Sequence, residues 1–286
     1  MSQPVILVTG ANGQVGQELR VLAASYPTFD FIFTTHENMP VHDEAAVQKL
    51  FAAHRPAYCI NCAAYTAVDK AETEQAIAYQ VNAEGPRILA AACKAYNTRF
   101  IHISTDYVFN GQSPTPYKED APTDPVNLYG ASKLKGEQLC QEANPDAIII
   151  RTAWVYSSFG KNFVKTMIKL MQDRPAINVV NDQVGAPTYA ADLAKCIMHI
   201  VATQTWQPGI YHYSNQGRIS WYDFAVAIKE LTGSACTVNP IPSEQFPTPA
   251  KRPAFSLLDT QKIQHTFQCA IPSWKESLQQ CIKLLS

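Results

Sequence analysis

Tyr129 and Lys133 carry the sharpest chemical signal in this sequence. They stand in Tyr129-Gly130-Ala131-Ser132-Lys133, and on a helix two residues four apart share a face, one turn from each other. A free phenol gives up its proton only near pH 10, so a tyrosine that moves a proton near neutrality needs a close cation to stabilise its anion. Lys133 is that cation. Taken alone, the pair reads more readily as an ordinary solvated helix face; its meaning depends on what lies upstream.

Two upstream segments supply that context. His102-Ile103-Ser104-Thr105-Asp106-Tyr107-Val108-Phe109 puts hydroxyls at the carboxyl end of a buried strand, where open α/β sheets place their ligands. Thr105 is then in position to hydrogen-bond a reacting oxygen. Nearer the start, Thr9-Gly10-Ala11-Asn12-Gly13-Gln14-Val15-Gly16 follows an apolar run, with glycines spaced three and three. A strand, a glycine-rich turn and a helix N-terminus present backbone N–H groups and the positive end of a helix dipole to a pyrophosphate. The three segments together predict an oxidoreductase that binds a nicotinamide dinucleotide, with Lys133 also holding the nicotinamide ribose. After the second strand, Phe33-Thr34-Thr35-His36 offers no carboxylate before Glu37 to bond an adenosine ribose, and a 2′-phosphate would not be repelled there. The expected cofactor is therefore NADPH, with NADH also serving.

The elements that must position these residues alternate short apolar runs with longer helical stretches. Strands are expected at 5–9, 31–34, 58–62, 100–104 and 147–151, with helices at 15–24, 43–54 (Asp43 as N-cap), 73–96 and 129–142. That order predicts an α/β fold, a Rossmann doubly wound parallel sheet with a smaller C-terminal substrate-binding domain. The expected division is 1–155 plus 189–215 for the dinucleotide domain and 156–188 plus 216–286 for the substrate domain. The later chain is less regular, with helices at 161–171 and 190–201, a strand at 209–213, and capping boxes at Ser220-x-x-Asp223 and Ser273-x-x-Glu276. Pro240, Pro242, Pro247, Pro249 and Pro253 predict a stiff extended segment that cannot pair as an interior strand and that lines something.

Bulk composition narrows the alternatives. A formal net charge of -1 over 286 residues, without a like-charge run, provides no electrostatic footprint for nucleic acid. No stretch is long and apolar enough for a membrane span, and Met1-Ser2-Gln3-Pro4 enters the first strand without a basic leader. A cytoplasmic protein is expected. Its eight cysteines are scattered through apolar segments and read as reduced, buried thiols. Cys59 and Cys62 form a C-x-x-C, the spacing of redox and metal motifs, yet in a strand residues three apart face opposite sides.

The motifs resemble the extended short-chain dehydrogenase/reductase superfamily and, within it, the dTDP-4-dehydrorhamnose reductase family. The resemblance runs through Gly10 to Gly16, Asn61 to Glu72, Ser104 to Gly111, Asn127 to Glu137, Arg151 to Tyr156, Val180 to Thr188 and Phe246 to Pro253. It implies reduction of the C4 ketone of dTDP-4-dehydro-L-rhamnose to dTDP-L-rhamnose. By that likeness Gly10, Gly13, Gln14, Val15 and Gly16 would meet the cofactor pyrophosphate, and Ala64, Tyr65, Thr66 and Ile103 would lie along its length. Thr105, Tyr129 and Lys133 would be catalytic, the latter two also touching the cofactor. Thr105, Asp106, Trp154 and Arg252 would bind the nucleotide sugar, Arg252 by forking its guanidinium onto two diphosphate oxygens.

Two departures from the family pattern alter what carries over. Where the family often has an aspartate reaching adenine, Met39-Pro40-Val41 places Pro40, so adenine recognition would pass to the Val41 backbone. Some members are described as magnesium-bridged dimers held by three glutamates; here Glu18 remains while Ala191 and Lys275 stand at the other places. No metal and a monomer or weak homodimer are expected. A noncatalytic, regulatory relative of the reductase is the alternative from another class, and it should tolerate loss of Tyr129 or Lys133; a reductase of another 4-keto-6-deoxy nucleotide sugar is the alternative within the class.

Overall fold

The structure, a computed structural model, describes residues 3–285; Met1, Ser2 and Ser286, which bound the ranges above, lie outside the described residues. In chain order the elements begin β1 (Val5–Thr9), α1 (Gln14–Ala23), β2 (Asp30–Phe33), α2 (Glu44–His54), β3 (Tyr58–Asn61), α3 (Val68–Ala71), α4 (Gln75–Tyr79), α5 (Gly85–Ala95), β4 (Arg99–Thr105), α6 (Leu128–Ala143) and β5 (Ile148–Thr152). They continue with β6 (Val155–Tyr156), α7 (Phe163–Asp173), β7 (Ala176–Val180), β8 (Val184–Gly185), β9 (Thr188–Tyr189), α8 (Ala190–Thr203), β10 (Gly209–Tyr213), β11 (Ile219–Ser220), α9 (Trp221–Thr232), β12 (Thr237–Ile241), α10 (Gln261–Phe267) and α11 (Trp274–Lys283).

Six strands form one parallel sheet in the order β10-β5-β4-β3-β1-β2. The chain builds outward from β1 to β2, then returns across β1 to β3 and builds the other way. The order therefore reverses between β1 and β3, and the crevice beyond their carboxyl ends is the ligand site of such a sheet. Burial on both faces explains the unbroken apolar character of β1. Ile6 and Val8 pack with Leu19 and Leu193 on one face, while Leu7 packs with Phe51 and Leu89 on the other. Each such side chain contributes roughly 1.5–3 kcal/mol by leaving water. Cys59 and Cys62 fall on these opposite faces, and all eight cysteines are free thiols.

Gly10 makes the turn out of β1 possible. Its φ is +65°, and a Cβ there would lie 2.5 Å from the Ala63 nitrogen, so the first and third strand ends could not approach with any other residue. The expected caps form: Asp43 accepts from the Ala46 N–H at 3.1 Å, and both capping boxes close at Ser220/Asp223 and Ser273/Glu276.

The expected helix over 73–96 runs without a gap from Gln75 to Ala95, but it contains a widened π turn at Gln80–Glu84 between α4 and α5, and Asn82 sits in that turn. Its buried amide is anchored to the Tyr65 backbone twice, accepting from N–H at 2.8 Å and donating to the carbonyl at 3.0 Å. Helical periodicity does not reveal such a tether. On the other side, the Asn82 carbonyl lies where a Cβ on Gly136 would sit, so α6 packs tightly on the π turn.

A second cluster gathers Tyr156, Val164, Met167, Phe224, Ile228, Trp274 and Leu278 from β6, α7, α9 and α11. At its margin β12 pairs in parallel with β7, with Pro240 opposite Val179. The proline segment thus does begin as a strand. In a two-stranded sheet each strand is an edge, where proline is tolerated.

Candidate active site

The helix that carries Tyr129 and Lys133 is held at its start by three contacts. Asn127 caps α6 by accepting from the Gly130 N–H at 2.8 Å, and its amide donates to the Lys251 carbonyl at 2.8 Å. The Glu72 carboxylate accepts from the Leu128 N–H at 2.9 Å, satisfying another donor that the first helical turn leaves open. Farther along, Glu137 and Arg151 form a buried two-pronged ion pair, Nη2 to Oε2 at 2.7 Å and Nε to Oε1 at 2.9 Å. Ser104 donates to the same carboxylate at 2.5 Å. Helix α6 is thereby fixed to β4 and β5.

Tyr129 comes to the carboxyl end of β4, beside Thr105 and Asp106. Its ring stands edge-on to Tyr107 at 5.7 Å. Burial raises its phenol to about 12, opposed by a hydrogen bond with the Thr105 hydroxyl and reinforced by the charge of Asp106. Tyr129 therefore keeps its proton, the state an acid requires. Thr105 donates to Asp106 Oδ1 at 3.0 Å and accepts from the Tyr107 N–H at 3.2 Å. Asp106 is 2% exposed, and burial pushes its carboxyl up to about 6 against hydrogen bonds from Ser256 and Thr105.

Lys133 lies one turn deeper, 1% exposed. Its amine donates to the Ile103 carbonyl at 2.7 Å and lies 3.4 Å from His102 Nε2. Burial draws it down to about 8 against the pull of Glu137. Ile103, expected along the cofactor, thus meets the lysine through its backbone.

Two cavities hold several of the other expected site residues, although Thr105, Asp106, Tyr129 and Lys133 line neither. One, of about 450 Å³, is lined by Gly10, Gly13, Val41, Ala64 and Tyr65 among the expected cofactor residues, and also by Thr35, His36, Met39 and His42. Val41, expected to meet adenine through its backbone, is thus in the wall of this cavity. At its floor α1 begins at Gly13 with no side-chain cap, which leaves the first N–H groups of a ten-residue helix free for a pyrophosphate. Gln14 instead reaches away, donating to the Val155 carbonyl at 3.2 Å and accepting from Asn162 at 2.9 Å. Val15 is packed into the core and Gly16 is buried in the same helix. Thr66 accepts at its carbonyl from the Val68 N–H, 2.9 Å, as α3 begins.

The second cavity, of about 340 Å³, has Phe163, Gln183, Trp221, Phe246 and Arg252 in its wall. Trp154 stacks on Trp221 with centroids 3.7 Å apart, and its backbone is held at φ +48°. A bulky residue there costs about 1–3 kcal/mol, which the stack and the surrounding strands must offset. Arg252 is paired with Asp69, a residue singled out only as part of a motif. Glu18, the remaining candidate of the glutamate trio, accepts from the Ser157 hydroxyl at 2.6 Å. The sequence reading missed Asn61, His102, Asp69 and Glu72 as supports and His36 and His42 as lining residues, because their roles depend on which strands and loops become neighbours.

A parallel sheet reversing at β1/β3, a glycine turn at its switch point and a tyrosine–lysine helix facing the end of β4 define an α/β oxidoreductase of the short-chain dehydrogenase/reductase type. Comparison with known proteins narrows this class. The family described as RmlD substrate binding domain matches residues 4–286, and the chain belongs to that family. It is 38% identical over 283 residues to the dTDP-4-dehydrorhamnose reductase of Aggregatibacter actinomycetemcomitans, covering 96% of each chain. Among solved structures, a dTDP-4-dehydrorhamnose reductase of Clostridium acetobutylicum superposes with a TM-score of 0.94 at 42% identity, covering 98% of this chain and 99% of that one. The reductase of Bacillus anthracis, solved in complex with NADP, gives 0.94 at 38% identity and covers 99% of both. Among the described residues no helix is long and apolar enough to cross a membrane.

Proposed function

We propose that this protein reduces the C4 ketone of dTDP-4-dehydro-L-rhamnose to dTDP-L-rhamnose, with NADPH as reductant. The observation that carries the reading is the meeting of Tyr129, Thr105 and Asp106 at the carboxyl end of β4, with Arg252 on the neighbouring cavity. The uncapped start of α1 and the Gly10 and Gly13 surfaces fit the pyrophosphate of a dinucleotide; Thr35 and His36 set no carboxylate against a 2′-phosphate, while Glu37 also stands in this wall. NADPH, when bound, supplies the hydride.

The chain's own residues do the rest. Gly10, Gly13, Gln14, Val15 and Gly16 bind the pyrophosphate end through their backbone, and Val41, Ala64, Tyr65, Thr66 and Ile103 line the remainder. Tyr129 donates its phenolic proton to the O4 atom of the sugar, Thr105 hydrogen-bonds the same oxygen, and Lys133 stabilises the phenolate left behind. Asp106 and Trp154 orient the sugar, and Arg252 holds the diphosphate. The dinucleotide domain comprises 1–155 plus 189–215 and the substrate domain 156–188 plus 216–286. The enzyme works in the cytoplasm, where its thiols stay reduced, as a monomer or weak homodimer.

Incubation with NADPH and the 4-keto sugar nucleotide tests the reading. Loss of the reduced-nicotinamide absorbance, with the rhamnosyl nucleotide identified by NMR, is the expected result. A protein that leaves NADPH unoxidised while binding both ligands would not be this reductase.

A further inference from the structure

The last residues of β1 and β3 and the middle of β4 bring three polar side chains into register. Thr9 lies opposite Asn61, and Asn61 opposite His102. None has any solvent exposure. They are bonded in series: the Thr9 hydroxyl to Asn61 Oδ1 at 2.6 Å, the Asn61 amide nitrogen to His102 Nδ1 at 3.0 Å, and His102 Nε2 3.4 Å from the Lys133 amine.

The polarity of this series is fixed from one end. The Ala63 peptide N–H also reaches Asn61 Oδ1, at 3.1 Å, and a peptide N–H can only donate. The Asn61 carbonyl oxygen must therefore be the atom on the Ala63 side, and its NH₂ group the one facing His102. His102 Nδ1 has to accept. Burial and the nearby lysine charge hold this imidazole well below its usual range, so the ring is neutral and carries one proton, which is left for Nε2.

We propose that His102 is a positioning residue for Lys133: pinned as the Nε2–H tautomer by Asn61 and Ala63, it turns an N–H bond rather than a lone pair toward the lysine nitrogen. The inference rests on the reading of Lys133 as the cation that serves Tyr129. An N–H dipole aimed at an ammonium disfavours the charged form, and it leaves the Ile103 carbonyl as the acceptor that sets the direction of the amine. The other groups facing Lys133 are Glu137 and Cys140 on its own helix and Cys62 beyond β3. Glu137 is already engaged by Arg151 and Ser104, and burial pushes both thiols up to about 12, uncharged. Burial is what lowers this lysine against the attraction of Glu137, and an N–H dipole from His102 points the same way. The result is a lysine held near about 8, able to exchange a proton near neutrality where an ordinary one would keep it. Because the series ends at the buried Thr9 hydroxyl, it sets polarity and does not conduct protons to water.

Two measurements decide the matter. Long-range ¹H–¹⁵N spectra of histidine-labelled wild-type protein read the tautomer without any turnover. His102 is expected to show a bare Nδ1 and a protonated Nε2 at neutral pH, and a proton on Nδ1 overturns the proposal. The second is Asn61→Asp, whose carboxylate still accepts from Ala63 but cannot donate to His102. It should draw the imidazole proton to Nδ1 in the same spectra, and move the lysine-dependent limb of the kcat/KM pH profile upward by about one pH unit. A transferred proton with an unmoved limb overturns the influence on Lys133. If that variant does not fold, the wild-type spectrum decides alone. Failure of the catalytic reading is separate: a Tyr129→Phe protein that still turns over removes the role of Tyr129 and leaves the tautomer standing.

Discussion

The Arg252 guanidinium grips the Asp69 carboxylate with two parallel hydrogen bonds, Nη1 to Oδ1 at 3.0 Å and Nη2 to Oδ2 at 2.9 Å. Asp69 also accepts from the Ala250 N–H at 3.2 Å, while Glu72, in the same short segment, holds the start of α6. One turn of chain after β3 therefore ties the helix of Tyr129 to the proline-rich loop of Arg252. Both side chains of the pair are partly exposed, and such pairs are worth only about 0–1 kcal/mol. Its value lies in where it puts the guanidinium.

That placement predicts a binding effect. Arg252→Ala should raise KM for the sugar nucleotide about 10–100-fold with kcat changed by less than about threefold, since a two-pronged contact to a diphosphate is present in ground and transition states alike. Asp69→Asn keeps the acceptor for Ala250 but loses the charge and the acceptor for Arg252 Nη2, so its KM should rise a few-fold. Steady-state kinetics distinguish this from a chemical role, which would show as equal losses in kcat and kcat/KM.

Tyr129→Phe removes a proton that matters chiefly in the transition state. Turnover should fall about 10²–10⁴-fold, and the dissociation constant for NADPH, read by fluorescence titration, should stay within about twofold because the phenol is not what the pyrophosphate end binds. A loss confined to NADPH affinity would assign the tyrosine to binding instead.

How far these sites could be read from sequence depends on the range of the contact involved. Val5–Thr9 stands where its apolar run places it, because a strand buried on both faces needs unbroken hydrophobicity, and Gly209 marks the start of Gly209–Tyr213. Tyr129 and Lys133 are legible for the same reason: their proximity is a property of one helix. The π turn at Asn82 and the strand at Ala176–Val180 were not, since one goes with a tether to Tyr65 and the other with pairing to a strand that contains Pro240. Likewise Asn61 and His102 look like isolated polar residues in two apolar strands. Only the register between β3 and β4 makes them partners.

The Glu137–Arg151 pair is 2% and 3% exposed at its side chains, so removing one partner strands the other as a buried charge. Arg151→Met should destabilise the protein by about 3–5 kcal/mol, and Glu137→Leu by a similar amount. Combining Arg151→Met with Glu137→Leu should cost less than the sum of the separate changes, because no unpaired charge remains. Urea denaturation of the four proteins measures the coupling; strict additivity would mean that the two groups do not interact.

Asp106 should make stability fall as pH rises. Its carboxyl is pushed up to about 6 by burial, above the roughly 3.9 of an unfolded chain, so between those values the folded state binds more protons than the unfolded one. The stabilising contribution is complete below about pH 4 and lost as pH passes about 6. The shift of about two pH units corresponds to a ceiling of roughly 3 kcal/mol. Asp106→Asn cannot titrate and can still accept from Thr105, so it should be more stable than the parent at pH 8 and gain nothing below pH 4. On the proposed role of Asp106 in orienting the sugar its turnover should drop even so, because the amide offers one acceptor oxygen where the carboxylate offers two. Denaturation midpoints across that interval check the sign, and a gain that does not vary with pH would show that packing, not ionisation, sets the difference.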